Sequence, residues 1–290
     1  MKIKAFTLNA FAKSKNGGNP AGVILNSDGL SDKQMLLVAE KIGFSETAFV
    51  QKSNKADFKV RFFTPNAEVD ICGHATIATF YLLADRQIIQ TGKYTQETKA
   101  GVLMIEILKD GTVFMDQNLP QYFDIIDRTL IAESLNISPN IIRDDLPIQI
   151  VSTGLKFILI PIENLAQLTQ IKSDIKKVKE ISKKFDVFGY HLFTLETKFG
   201  STAHCRNLAP LYDVKEEEAA TGTANGALSC YLFKYGKINK QQINDVVFEQ
   251  GYSMNKPSEI RAKLEIDGNN ITSVRVGGIA SDMQEIEIDV

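Results

Sequence analysis

Cysteine is scarce in this chain. Three are present in 290 residues, an odd number without paired spacing, which excludes a disulfide framework and fits a reducing compartment. No Cys/His group has metal-ligand spacing, and there is neither a phosphate-binding loop nor a Gly-x-Gly-x-x-Gly fingerprint, so neither metal nor nucleotide cofactor is expected. Charge of one sign is also lacking. With 33 Lys and Arg against 35 Asp and Glu the formal net charge is −2, which gives no reason to expect nucleic acid or an anionic membrane as partner. No run is long and apolar enough to span a bilayer, and the start, Met1 to Asn9, alternates like a strand without the apolar core of a signal peptide. Low-complexity segments and long linkers are absent as well. These absences leave a soluble cytoplasmic protein as the expectation.

What is present is an internal duplication. The segment Arg61-Phe-Phe-Thr-Pro65, followed by Glu68-Val-Asp-Ile-Cys-Gly-His-Ala-Thr76, has a looser second copy. That copy is Arg206-Asn-Leu-Ala-Pro210, then Glu216-Glu-Glu-Ala-Ala-Thr-Gly-Thr-Ala-Asn225. Gly73, Ala75 and Ala78 match Gly222, Ala224 and Ala227 at a constant offset of 149 (222 − 73). Each copy runs from a strand through an acidic turn and a glycine into an alanine-rich helix. Two such units predict a duplicated fold with one site between the halves.

The patterning supports an α+β arrangement. Strands are expected at 3–11, 21–26, 46–51, 57–63, 101–108 and 112–116, with Asp110-Gly111 as a hairpin turn. Ser31-Asp-Lys-Gln34 is a capping box that opens an amphipathic helix. Residues 74 to 84 form a helix with almost no charge, which implies enclosure. Alternation breaks at Asn118-Leu-Pro120, the expected junction. The second half offers helices at 128–137, 164–184 and 223–235, and strands at 148–152, 156–162, 187–195, 201–208, 244–250, 258–266 and 271–277. The last stretch, 279–289, is expected to return to the first half as a strand. The expected domains are therefore 1–118, completed by 279–290, and 119–278. Strands outnumber helices and do not alternate with them as in a doubly wound fold.

Several residues could carry chemistry. Gly73-His74 and Gly222-Thr223 sit where a turn enters a helix, so their backbone N–H groups lack intrahelical acceptors and favour an anion such as a carboxylate. Ordinary helix capping would explain either one alone. His74, beside such a helix start, is expected to have a lowered pKa and a neutral ring able to exchange protons. It could equally serve only to cap the turn. Glu46 leads an otherwise apolar strand; turned inward, its carboxyl pKa would rise with desolvation and suit a general acid/base, whereas turned outward it is merely solvated. Glu216, Glu217 and Glu218 form either a solvated acidic first turn or the source of a second acid/base. Cys72 precedes Gly73, where a thiolate could be stabilised, but its counterpart is Thr221, which leaves a two-thiol racemase one partner short.

At these residues the sequence resembles the phenazine-biosynthesis isomerase (PhzF-like) family, within the diaminopimelate epimerase fold superfamily. The matching elements are Ala5-Phe-Thr7 with Gly18-Asn19-Pro-Ala-Gly-Val23, Phe44-Ser-Glu-Thr-Ala-Phe49, Arg61-Phe-Phe-Thr-Pro65, Cys72-Gly-His-Ala-Thr76 and Ala220-Thr-Gly-Thr-Ala-Asn-Gly226. Their combination spans nearly the whole chain. The resemblance implies two pseudo-symmetric lobes, each an antiparallel barrel-like sheet around a central helix, and a homodimer. It also implies a cofactor-independent proton shift on a small carboxylate-bearing metabolite. By motif position it makes Glu46 the main proton carrier, with His74 and Glu218 as further catalytic groups. Asn19, Gly73, Gly222 and Thr223 become substrate-binding residues. Where the family pattern has aspartate this chain has Glu218, and where it has serine this chain has Thr223. These departures imply a substrate other than that of the phenazine pathway. The rival expectations are an epimerase or racemase using Cys72, and a non-catalytic binding or interaction protein on the same scaffold.

Overall fold

The structure, a computed structural model, describes residues 1–211 and 217–290. The chain divides into two compact units, one formed by Met1–Asp116 with Gly277–Val290 and the other by Gln117–Val276.

The first unit contains β1 (Lys2–Ala10), β2 (Asn19–Ile24), α1 (Asp32–Ile42), β3 (Thr47–Gln51), β4 (Phe58–Phe63), β5 (Glu68–Val69), α2 (Gly73–Asp85), β6 (Gly92–Thr98), β7 (Gly101–Ile107) and β8 (Val113–Gln117, its last residue in the second unit). The second carries β9 (Gln121–Ile125), α3 (Arg128–Leu135), β10 (Gln149–Ser152), β11 (Lys156–Pro161), α4 (Leu165–Gln170), α5 (Ile175–Lys184), β12 (Gly189–Thr194), β13 (Ala203–Leu208), α6 (Gly222–Lys234), β14 (Val246–Gln250), β15 (Ser258–Asp267) and most of β16 (Asn270–Gly278). The final strand, β17 (Ala280–Asp289), returns to the first unit and pairs antiparallel with β1 from Lys2 opposite Asp289.

The strand directions repeat. In the first unit β1 and β2 are antiparallel, β2 and β3 parallel, β3 and β4 antiparallel, β4 and β6 parallel, and β6 and β7 antiparallel. In the second, β10 through β15 follow the same alternation. A parallel step needs a crossover connection. α1 supplies the first crossover in one unit, where α4 and α5 supply it in the other. α2 and α6 supply the second crossover in their respective units.

α2 and α6 are the internal helices. Eight residues of α2 are buried, including Ala75, Ile77, Phe80 and Leu83, and ten of α6 are. A helix apolar all round must be covered on every side. α2 packs on β1, β2, β3 and β7, while α6 packs on β10, β11 and β15. α1 instead has one apolar face, with Met35, Val38 and Ala39 buried; its capping box is formed between Ser31 and Gln34, and Gly43 ends it in the left-handed region at φ 70°. The Asp110-Gly111 hairpin is present too, with Gly111 at φ 81° and its N–H on Leu108 O.

The expected strands omit β5, β6 and β9, and the expected helix at 164–184 joins α4 with α5. β6, Gly92-Lys-Tyr-Thr-Gln-Glu-Thr98, is mostly polar; tertiary pairing with β4 and β7 makes it a strand, not an apolar pattern. The expected single helix at 164–184 breaks because Asp174 caps a new one, its carboxylate accepting from the N–H groups of Lys176 and Lys177.

The duplicated arginines make matched forks. Arg61 on β4 donates through Nε and Nη2 to the two oxygens of Glu68, both at 2.8 Å. Arg206 on β13 grips Glu217 in the same manner, at 3.0 and 2.8 Å. Each fork ties the strand before an internal helix to the acidic turn that leads into it. All four side chains are largely buried, 11 to 16% exposed.

Candidate active site

In the first unit the chain places a carboxylate, an imidazole and a thiol together. After Gly43 ends α1, the backbone passes through Phe44 and Ser45 into β3, which lies between β2 and β4, and Glu46 stands at its threshold. His74 is the second residue of α2 and Cys72 is its N-cap, with no side-chain capping bond. Glu46 Oε2 lies 3.2 Å from His74 Nε2, which is also 3.4 Å from Ser45 Oγ. Cys72 Sγ lies 3.5 Å from Nδ1 and 3.8 Å from Nε2 of the same ring. The Glu46 side chain is 23% exposed and that of His74 10%. Both are enclosed, and the Glu46 Oε2 atom facing the ring is itself buried.

The electrostatics correct two expectations. Burial, the largest single influence, pushes the Glu46 carboxyl pKa up, as expected, but His74, with Ser45 and Cys72, together outweigh it, so the net shift is downward from 4.5. His74 was expected to be neutral. Burial does oppose charge on the ring, but Cys72 and Glu46 outweigh it and hold the imidazole pKa well above 6.5. The two neighbouring groups, Cys72 ahead of Glu46, raise a pKa that the helix dipole was expected to lower. Burial also raises the Cys72 thiol pKa, with the Glu46 charge adding to it, so this thiol resists ionisation. Carboxylate, imidazole and thiol thus form one coupled cluster, in which the Glu46 carboxyl is held low and the protonation of His74 and Cys72 is interdependent.

Among the described residues, Glu46, Cys72 and His74 are the one group of three or more His, Cys, Asp or Glu whose donor atoms, all within 4.8 Å, could hold a metal ion. The sulfur is nearly equidistant from both ring nitrogens and so lies along neither lone pair.

The second unit gathers Glu218, Gly222 and Thr223 at the start of α6. Thr221 is the N-cap of that helix, and its hydroxyl donates to Glu218 Oε2 at 2.6 Å. The Glu218 N–H bonds Asn207 O on β13, which fixes the turn. The Thr223 carbonyl accepts from Thr153 Oγ1 at 3.2 Å. Glu216, one of the three acidic candidates, lies outside the described residues, while Glu217 is committed to Arg206. Asn19 opens β2 opposite Ala10 in the first unit. Cys205 and Cys230 are buried. Sequence reasoning missed Ser45 and the polar side chains behind Glu218, namely Gln250, Asn225, Asn207 and His191; Ser45, Asn207 and Asn225 lie within the quoted motifs without showing what they bond, and Gln250 and His191 are isolated polar letters within strands.

A glutamate–histidine pair at the start of a buried helix, in an α+β fold, is the setting in which comparison with known proteins becomes informative. The family model of phenazine biosynthesis-like proteins (PhzC-PhzF) matches residues 8–285, and this chain belongs to that family. The family is one of isomerases, and the chain is an enzyme of that class. It is 34% identical over 268 residues to the uncharacterized isomerase YfhB of Bacillus subtilis, covering 90% of each chain. It is 28% identical to the trans-2,3-dihydro-3-hydroxyanthranilate isomerase of Pseudomonas chlororaphis, covering 93% of this chain and 94% of that one. The crystal structure of a PhzF-family phenazine biosynthesis protein from Bacillus anthracis superposes with a TM-score of 0.89 at 30% identity, covering all of both chains. No helix among the described residues is long and apolar enough to cross a membrane.

Proposed function

We propose that the protein is a cofactor-independent isomerase that moves a proton on a small carboxylate-bearing metabolite. The observation that carries this reading is the enclosed Glu46–His74 pair, 3.2 Å apart at the N-terminus of α2. A carboxylate held ionised by a neighbouring imidazolium is poised to take a proton from carbon, and the imidazolium can supply or relay one. In this reading Glu46 removes the proton and returns it at another carbon. Glu218 is a second acid/base group, and the amides of Gly73, Gly222 and Thr223, together with Asn19, hold the substrate carboxylate or the developing enolate.

The relative from Pseudomonas chlororaphis acts, by its name, on a small ring-bearing amino acid, and a compound of that chemical class is a natural first substrate to test. A homodimer in the cytoplasm is the setting we propose. The cysteine-dependent rival is disfavoured because the Cys72 thiol pKa is raised and Thr221 takes the matching helix-cap position.

The test is isomerisation in deuterium oxide against a panel of small carboxylic acids, read by proton NMR. Wild type incorporates deuterium at carbon in at least one of them, and Glu46→Gln loses this by about 10²–10⁴-fold, the usual worth of a positioned acid/base. Undiminished exchange in Glu46→Gln rejects the assignment.

A further inference from the structure

Behind Glu218 lies a line of fully buried polar side chains whose hydrogen-bond polarity is dictated by the backbone. Asn225 on α6 donates Nδ2–H to Thr221 O at 2.9 Å, a backbone carbonyl, so its Oδ1 must face the other way, toward His191 Nε2 at 3.2 Å. Gln250 at the end of β14 donates Nε2–H to Glu218 O at 2.9 Å and accepts the Thr221 N–H on Oε1 at 3.3 Å, which fixes its amide as well. Two main-chain constraints thus settle both amide orientations.

Everything else follows in one direction. Asn207 Nδ2 donates to His191 Nδ1 at 3.2 Å, and His191 Nε2–H donates to Asn225 Oδ1 at 3.2 Å. Asn225 Nδ2–H donates to Gln250 Oε1 at 2.8 Å, and Gln250 Nε2–H to Thr221 Oγ1 at 3.2 Å. The Thr221 hydroxyl then has its proton for Glu218 Oε2 at 2.6 Å. Such an order requires a neutral His191 protonated on Nε2. Complete burial, which outweighs its bond to Asn225, pushes this ring's pKa down to about 4.

We propose that His191, Asn225, Gln250 and Thr221 are positioning residues that hold the Glu218 carboxylate in a single orientation by a head-to-tail hydrogen-bond chain. Aligned donors polarise one another, so the last link, to the carboxylate, is strengthened by those behind it. The chain spans β12, α6 and β14, all of it well packed, so the carboxylate is set by rigid elements although it stands in a turn. The catalytic consequence rests on the reading of Glu218 as an acid/base; the holding function does not.

The test uses the full-length protein and no substrate. With ¹³C-labelled glutamate, the Glu218 carboxyl resonance is assigned by its loss in Glu218→Gln and titrated. Thr221→Val removes one charge-assisted donor from the carboxylate and should raise the titration midpoint by about one pH unit, whereas Thr221→Ser should leave it near wild type. In wild type, ¹⁵N-labelled histidine should show His191 as the neutral Nε2–H tautomer. An unmoved midpoint in folded Thr221→Val, or an Nδ1–H tautomer at His191, overturns the proposal. A raised midpoint together with full isomerase activity in Glu218→Gln supports the chain while removing Glu218 from the reaction.

Discussion

Gly189 holds in the second unit the register position that Glu46 holds in the first. Thr47 pairs with Phe63 on β4, and Tyr190 pairs with Leu208 on β13. Phe63 and Leu208 each stand two residues before the proline of a duplicated segment, Pro65 or Pro210. Glu46 and Gly189 are therefore equivalent, and a carboxylate stands at this position on one side only. The second unit cannot host a side chain there. A Cβ at Gly189 would lie 2.1 Å from Leu208 O and 2.9 Å from Ala209 Cα, both backbone atoms that cannot swing aside.

Gly189→Ala should consequently destabilise the protein by about 1–3 kcal/mol, the usual range for overpacking a closed interior. Urea unfolding followed by far-ultraviolet circular dichroism measures it. An unchanged midpoint would show that β12 and β13 are not held in the register described.

The Glu46–His74 pair sets a pH profile. Glu46 titrates below 4.5 and His74 well above 6.5, so the carboxylate–imidazolium form fills the interval between. Isomerisation should be flat from about pH 5 to 7, falling at lower pH as Glu46 is protonated and at much higher pH as His74 loses its proton. In His74→Asn the two largest lowering influences on Glu46 are gone, and burial, the largest influence, is opposed only by Ser45 and Cys72. The acid limb should therefore move upward. An acid limb that stays in place shows that another group controls it.

Cys72 should be dispensable. Its buried thiol is pushed toward the neutral form, so it is a poor base and a slow nucleophile. Cys72→Ser is expected to retain most isomerase activity, and iodoacetamide to inactivate wild type slowly at pH 7. Loss of activity by more than a hundredfold in a folded Cys72→Ser protein would restore the thiol-dependent epimerase reading.

The Arg61–Glu68 fork predicts an acid-sensitive contribution to stability. The Arg61 hydrogen bond, opposed by burial and assisted by Lys99, holds the Glu68 carboxyl pKa at about 2, against 4.5 for the ordinary group. A lowered folded pKa means that the stabilisation is complete above pH 4.5 and is lost as the pH falls from there through about 2. Glu68→Gln should cost about 1.5–3 kcal/mol at pH 7, the worth of hydrogen bonds to a charged group, and should flatten the decline in melting temperature over that window. A variant as acid-sensitive as wild type would assign the decline to other carboxylates.

Glu46 and His74 could be named from sequence because each lies beside a helix start or strand start, whereas spacing left Glu216, Glu217 and Glu218 open and only the family resemblance singled out Glu218. The protonation states of Glu46 and His74 could not be named, since these depend on which charges stand within a few ångströms. From the helix start alone His74 should be neutral; Cys72, two residues away along the chain, and Glu46, nearly thirty residues away in sequence but 3.2 Å away in space, together reverse that. β6 was illegible for a similar reason. Its polar residues become a strand because β4 and β7 offer backbone partners on both sides, a condition no local pattern expresses.

The amino-acid order by itself determined the two copies, the apolar helices, the capping box and the family motifs, because all of these are written in spacing and in side-chain type. Tertiary structure alone decided that a carboxylate meets an imidazole while its duplicate position must be glycine. It likewise decided that one buried line of amides points its protons toward Glu218. Proton affinity and steric room are properties of what surrounds a residue, and for these groups the surroundings come from distant parts of the chain.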